Sequence, residues 1–221
     1  MTNIEEKGYI PEEKKVKKTS ILKMCSNILS ILCNPFLVPM FAFALLFAST
    51  YLVIMPIQYI FSVFGIVFTF TFWVPLIFIY IYKWSNKLTF KEINERKRRS
   101  IPYILTIMCY ITCILLMDKL HFPHYFSSIL IAALLTIIIC YLLNLRWKIS
   151  THLAGCGLLV GTLIAYSLLF HFNPLWLLCS IILLSGIQGT ARIFYHKHTL
   201  LEVIVGFVVG MFCSIIGILF I

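Results

Sequence analysis

The sequence predicts an all-α protein, a polytopic transmembrane helical bundle of six to seven spans. Three observations carry this prediction. The 221-residue chain is 61% hydrophobic with a mean hydropathy of +0.99, whereas a soluble domain is about half apolar. Its apolar runs approach the roughly 20 residues needed to cross a bilayer, and short polar gaps separate them. Of the 18 Lys and Arg residues, 17 fall in alternate gaps, as loops on one membrane face would require. A β-barrel would alternate apolar and polar residues instead, and this length holds only one helical domain.

In order, residues 1–27 form a polar basic tail, with Glu5, Glu6, Glu12, Glu13 and six lysines. Residues 28–221 form a single transmembrane domain. Spans are expected at 28–54, 57–82, 102–119, 124–145, 153–172, 174–191 and 202–221. Asn34-Pro35 and Pro39 interrupt the first span and predict a kink or a re-entrant start. Residues 83–101 are the longest internal loop, after which Pro102 opens the third span. Residues 119–123 and Asn173-Pro174 mark tight hairpins. Residues 146–152 read as a polar junction, and 192–201 lead into the last span. Gly157 and Gly161, then Gly206 and Gly210, predict close helix approach within the monomer. The apolar run begins only after the charged tail and is too long for a signal peptide's apolar region, so the first span is expected in the mature protein.

The net charge of +10 does not point to nucleic acid. The cations sit in short loops and a short tail beside spans, where orientation and anionic headgroups account for them. Setting aside Lys91, Arg96, Arg98, Arg99, Lys148 and Arg192 as possible site residues leaves 11 cations on one face against Lys119 on the other. The basic face is therefore expected to be cytoplasmic, with the protein in a bacterial inner (plasma) membrane. Eight cysteines without a CxxC pattern read as small packing residues rather than metal or redox groups.

Three gaps on the basic face carry the residues suited to chemistry. In Arg192–Glu202, His198 and Glu202 are four apart and would share a helix face. The carboxylate can hold one imidazole N–H and leave the other nitrogen to attack. Arg192 can hold a phosphoryl oxygen through its planar fork. An interfacial cationic cluster with Glu202 as counter-ion is the plainer alternative. In Lys148–His152, Ser150 offers a hydroxyl donor and His152 a proton donor, although a polar helix junction explains them equally well alone. In the loop before Pro102, Lys91, Arg96, Arg98 and Arg99 could clamp a phosphate or simply anchor the loop.

Together these segments resemble the type-2 phosphatidic acid phosphatase and vanadium haloperoxidase superfamily, whose motifs run KxxxxxxRP, PSGH and SRxxxxxHxxxD. Arg192 and His198 keep the third motif's spacing, with Glu202 in place of Asp and Ala191 in place of Ser. Ser150 and His152 match the second motif, with Ile149 and Thr151 replacing Pro and Gly. Lys91 and Arg98 keep the first motif's spacing, but Pro102 stands three residues late, so Arg99 competes with Arg98. The resemblance covers a core of about residues 85–210. It implies an integral membrane phosphatase acting on a lipid phosphate monoester or diphosphate, of the phosphatidic acid, phosphatidylglycerol phosphate or polyprenyl diphosphate type. His198 would form a phosphohistidine and Glu202 would orient it. His152 would protonate the leaving alkoxide and then activate water. Lys91, Arg98 or Arg99, Ser150 and Arg192 would stabilise the equatorial oxygens, assisted by Lys148. No cofactor or metal is implied. The expected partners are the lipid substrate and membrane lipids.

The alternative is a catalytically inactive lipid-binding or lipid-transport protein on the same scaffold, given the departures at Ile149, Thr151, Ala191 and Glu202. An unrelated small transporter fits less well, because charges inside the spans are almost absent. Asp118, His121 and His124 are spaced by threes, yet Pro123 interrupts them and they lie on the other face. His196 is the rival to His198, but its spacing fits neither Arg192 nor Glu202. His171 reads as interfacial.

Overall fold

The computed structural model describes residues 34–87 and 100–220, and among them there are helices and turns but no strand. The helices are α1 Val38–Ser49, α2 Ile57–Ser85, α3 Ser100–Lys119, α4 His124–Arg146, α5 Thr151–Phe170, α6 Leu175–Phe194 and α7 Leu200–Leu219. The six from α2 to α7 are long and apolar enough to cross a membrane, and the chain is a multi-pass membrane protein. The tail and residues 88–99, with Lys91, Arg96, Arg98 and Arg99, lie outside the described residues.

The first span differs from expectation. In place of one helix over 28–54, the described part is the 12-residue α1 followed by a 3-10 turn, Tyr51–Ile54. Alone, α1 covers about 18 Å at 1.5 Å per residue, short of the roughly 30 Å hydrocarbon core. Asn34 Oδ1 accepts from the Phe36 N–H at 3.3 Å, and its carbonyl accepts from Leu37 at 2.8 Å. This turn starts the helix where Pro35 cannot donate. Val38 packs against Gly155, near the start of α5, and the Tyr51 ring meets Phe170, at its end, with centroids 5.7 Å apart. The segment 38–51 therefore runs parallel to α5 over most of its length.

Pro75 is carried inside α2 by a π turn at Thr69–Trp73, where the Val74 N–H reaches back to the Thr69 carbonyl. The wider turn accommodates a residue that lacks a donor and crowds the preceding turn.

Helices α5 and α7 form the centre of the bundle, and they too are parallel. A Cβ on Gly157 or Gly161 would overlap the Phe207 or Met211 carbonyl, and one on Gly210 would overlap that of Ala154. The expected glycine contact within the monomer is thus reciprocal, backbone against backbone. Gly206 sits against the Ser150 carbonyl at the same seam, so α7, which starts at Leu200, begins about 9 Å ahead of α5 at 1.5 Å per residue.

Five expected spans begin or end two or three residues from the observed helices. Thr151 and His152 belong to the first turn of α5, Arg192 to the last turn of α6, and Leu200–Glu202 to the first turn of α7. Apolar content stops before the helix does, because polar residues make the terminal turns. Three histidines terminate or follow helices in the left-handed region: His121 (φ 55°), His171 (φ 52°) and His196 (φ 51°). At His196 the turn is complete. Its N–H donates to the Ile193 carbonyl at 2.9 Å, and the Lys197 N–H donates to Arg192 at 3.1 Å, which closes α6 with the paired bonds of a Schellman motif.

Candidate active site

The glycine seam sets the N-terminus of α5 beside the first two turns of α7. The Ser150 N–H donates to the Glu202 carbonyl at 3.3 Å and ties the two starts together. Two parallel helix dipoles then point their positive ends to the same side of the bundle, with that of α7 projecting further. The 147–150 connection and the turn closing α6 meet there, where Lys148 Nζ donates to the Lys197 carbonyl at 3.3 Å.

His198 and Glu202 are brought together by a cap rather than by a shared helix face. His198 precedes the N-cap Thr199, and Glu202 is the third residue of α7. Thr199 Oγ1 accepts from the Glu202 N–H at 3.4 Å, while Glu202 Oε2 accepts from the Thr199 N–H at 3.3 Å. The same Oε2 lies 2.7 Å from His198 Nδ1. The capping box holds the carboxylate still, and the carboxylate fixes the ring. Nδ1 as the donor leaves Nε2 with the lone pair in the neutral tautomer. The side chain of His198 is only 5% exposed, so its position is set by packing as well as by this bond.

His198 and Glu202 line a cavity of about 310 Å³ with Lys148, His196, Lys197 and Thr199. Ser150 lies directly behind Glu202. As N-cap of α5 its hydroxyl would ordinarily serve the helix, but it makes no cap bond. Its Oγ is fully buried and has no hydrogen-bond partner among the described residues. Arg192 is buried in the last turn of α6; it is not among the residues lining this cavity. His152 lies on the other side of the α5 N-terminus. It lines a second, apolar cavity of about 320 Å³ between α1, α2, α3, α4 and α5. The structure therefore joins Lys148, His198 and Glu202 directly, sets Ser150 against them, and places Arg192 and His152 nearby on flanking elements. Lys91, Arg98 and Arg99 are outside the described residues.

His196 lines the same cavity as His198, yet it is exposed and occupies the chain-reversing position after α6. Among the described residues no group of three or more His, Cys, Asp or Glu is placed to hold a metal ion. Asp118, His121 and His124 are thus not gathered into a ligand set, and His121 serves the turn after α3.

Two features escaped the sequence reading. Thr199, three residues before Glu202, carries the capping-box pattern that pins the carboxylate, and Thr-x-x-Glu was legible. Gln188 was not: it is fully buried one turn before Arg192, and neither amide atom has a hydrogen-bond partner among the described residues. No protein-family model, curated protein or solved structure matches the chain.

Proposed function

We propose that the protein is a membrane phosphatase for a lipid phosphate, acting through a phosphohistidine with no divalent metal. The observation that carries this reading is the His198 Nδ1–Glu202 Oε2 contact at 2.7 Å, held by the capping box beside two helix N-termini. Nε2 attacks phosphorus, the P–N bond forms as the P–O bond to the alcohol breaks, and His152 protonates the departing alkoxide. Water, deprotonated by His152, then displaces His198 and releases phosphate. Ser150, Arg192 and Lys148 supply donors and charge to the phosphoryl oxygens. The resemblance adds Lys91 and Arg98 or Arg99. The basic face, with the site, is assigned to the cytoplasm from the cation count, in a bacterial inner membrane.

One observation favours a binding role on the same scaffold: His152 lines the apolar cavity, whereas His198 lines the polar one. A single experiment separates the two. Purified protein in EDTA is expected to release phosphate from at least one member of a panel of lipid phosphates. Release only after Mg²⁺ is added would reject the metal-free mechanism, and no release from any lipid would favour the binding role.

A further inference from the structure

We propose that the apolar cavity beside His152 is a measuring slot for the hydrocarbon of the leaving alcohol. It selects alkyl or prenyl phosphates over lipids in which a polar glycerol headgroup separates phosphate from chain. The proposal rests on the phosphatase reading above and names the substrate class of the same site.

The slot's mouth lies among Asn34, Pro102, Thr151 and His152, and its inner end among Tyr110, Ala133 and Leu158. Some of its polar residue names mislead. The Thr106 hydroxyl donates to the Pro102 carbonyl at 2.7 Å and the Thr136 hydroxyl to Ala132 at 2.8 Å. Each hydroxyl proton is spent on its own helix; besides His152, Asn34, Tyr103, Tyr110 and Thr151 are the other polar-bearing residues of an otherwise apolar lining. The lining is mainly apolar and suits a hydrocarbon better than a sugar or a glycerol.

His152 belongs to both sites. As the acid it must stand within hydrogen-bond reach of the ester oxygen, and the residue also lines the mouth of the slot. Ser150, two residues earlier, is tied to Glu202 by its backbone N–H. An ester oxygen at His152 therefore sits at the boundary, with phosphorus on the His198 side and carbon on the slot side. Whatever follows that oxygen enters apolar surroundings at once. From Pro102 to Tyr110 along α3 is about 12 Å, the reach of about ten extended methylene groups.

The test is phosphate release from monomeric n-alkyl phosphates of increasing length, beside a glycerol-headed lipid phosphate. Wild-type kcat/KM is expected to rise by up to about fourfold per methylene and to level off near ten carbons. Ala133→Leu, which fills the inner end, should move the plateau to shorter chains. Leu158→Ala, which opens that end, should move it to longer ones. Both variants should keep wild-type rates on butyl phosphate, which does not reach that depth. A plateau that neither variant moves, or preference for the glycerol-headed lipid, would overturn the slot while leaving the phosphatase reading intact. If wild type releases no phosphate from any substrate, the phosphatase reading fails. Calorimetric binding then decides the slot: tighter binding of decyl than of butyl phosphate, lost in Ala133→Leu, supports it, and equal binding overturns it.

Discussion

At the end of the bundle away from the candidate site, one knot of buried hydroxyls is satisfied, although Ser49 Oγ and Thr162 Oγ1 elsewhere in that half have no partner among the described residues. The Tyr166 hydroxyl donates to the Tyr125 carbonyl at 2.7 Å and lies 3.2 Å from Ser128 Oγ, which itself donates to Tyr125 at 2.9 Å. Beside this knot Phe126 is enclosed by Phe43, Phe47, Tyr59 and Tyr125, with centroids 4.6–6.1 Å away. At the site end Ser150 and Gln188 are buried just as fully, yet their side chains have no partner among the described residues. A buried hydroxyl or amide without a partner costs about 1–3 kcal/mol. The Tyr125–Ser128–Tyr166 knot has its polar groups arranged for stability. The site end keeps donors that the fold itself does not use, as expected where a phosphoryl group is to be held.

The contrast is broken most severely at the histidines. His198→Ala should abolish both the covalent phosphoenzyme and turnover, read by acid-quenched labelling and phosphate release. His152→Ala should cost about 10²–10⁴-fold on alkyl phosphates, whose alkoxides leave poorly without a proton. It should cost least on an activated ester such as nitrophenyl phosphate. Equal loss on both esters would remove His152 from the role of acid.

A crossed pair of substitutions sharpens it. Ser150→Ala removes a buried hydroxyl without a described partner, so the variant should unfold no sooner than wild type. Its activity should nevertheless fall by about 10²–10³-fold, the usual loss for a donor to developing charge. Tyr166→Phe should do the reverse, costing about 1 kcal/mol of stability with activity per folded molecule unchanged. Thermal unfolding in one detergent, with phosphate release on the same samples, tests both. If Ser150→Ala destabilises and keeps its activity, Ser150 is a structural cap and the two ends are alike.

The helical bundle was legible in the sequence because apolar run length and cation placement act over whole spans. The glycine seam was also legible, since Gly157, Gly161, Gly206 and Gly210 repeat at helical spacing. The first span was less so: its prolines announced an interruption, but only contacts with Gly155 and Phe170 show how the broken segment runs. For the site, spacing singled out His198 and Glu202 and gave the wrong reason. Their meeting depends on a capping box and on a turn that ends α6, both local backbone events that hydropathy does not register. Gln188 and the slot could not be read at all. A lone amide in an apolar run carries no sign of its direction, and the slot is lined by residues from five helices, α1 to α5.

The smallest expected effect concerns His196, which shares the cavity with His198 but has a different reason to be there. At φ 51° it occupies a conformation in which a Cβ is strained. Histidine tolerates that region better than most residues, and glycine better still. His196→Gly should preserve the turn, whose bonds use only the backbone N–H groups of His196 and Lys197. Relief of strain favours the variant, and greater freedom of the unfolded chain opposes it. The net change should therefore stay within about 1 kcal/mol, and phosphate release should remain near wild type. His196→Val, β-branched at the same φ, should destabilise the turn and carry His198 out of register, lowering activity with stability. Loss of activity in His196→Gly with unchanged unfolding would mean that the imidazole itself acts on substrate. The assignment of the nucleophile between the two histidines would then have to be reversed.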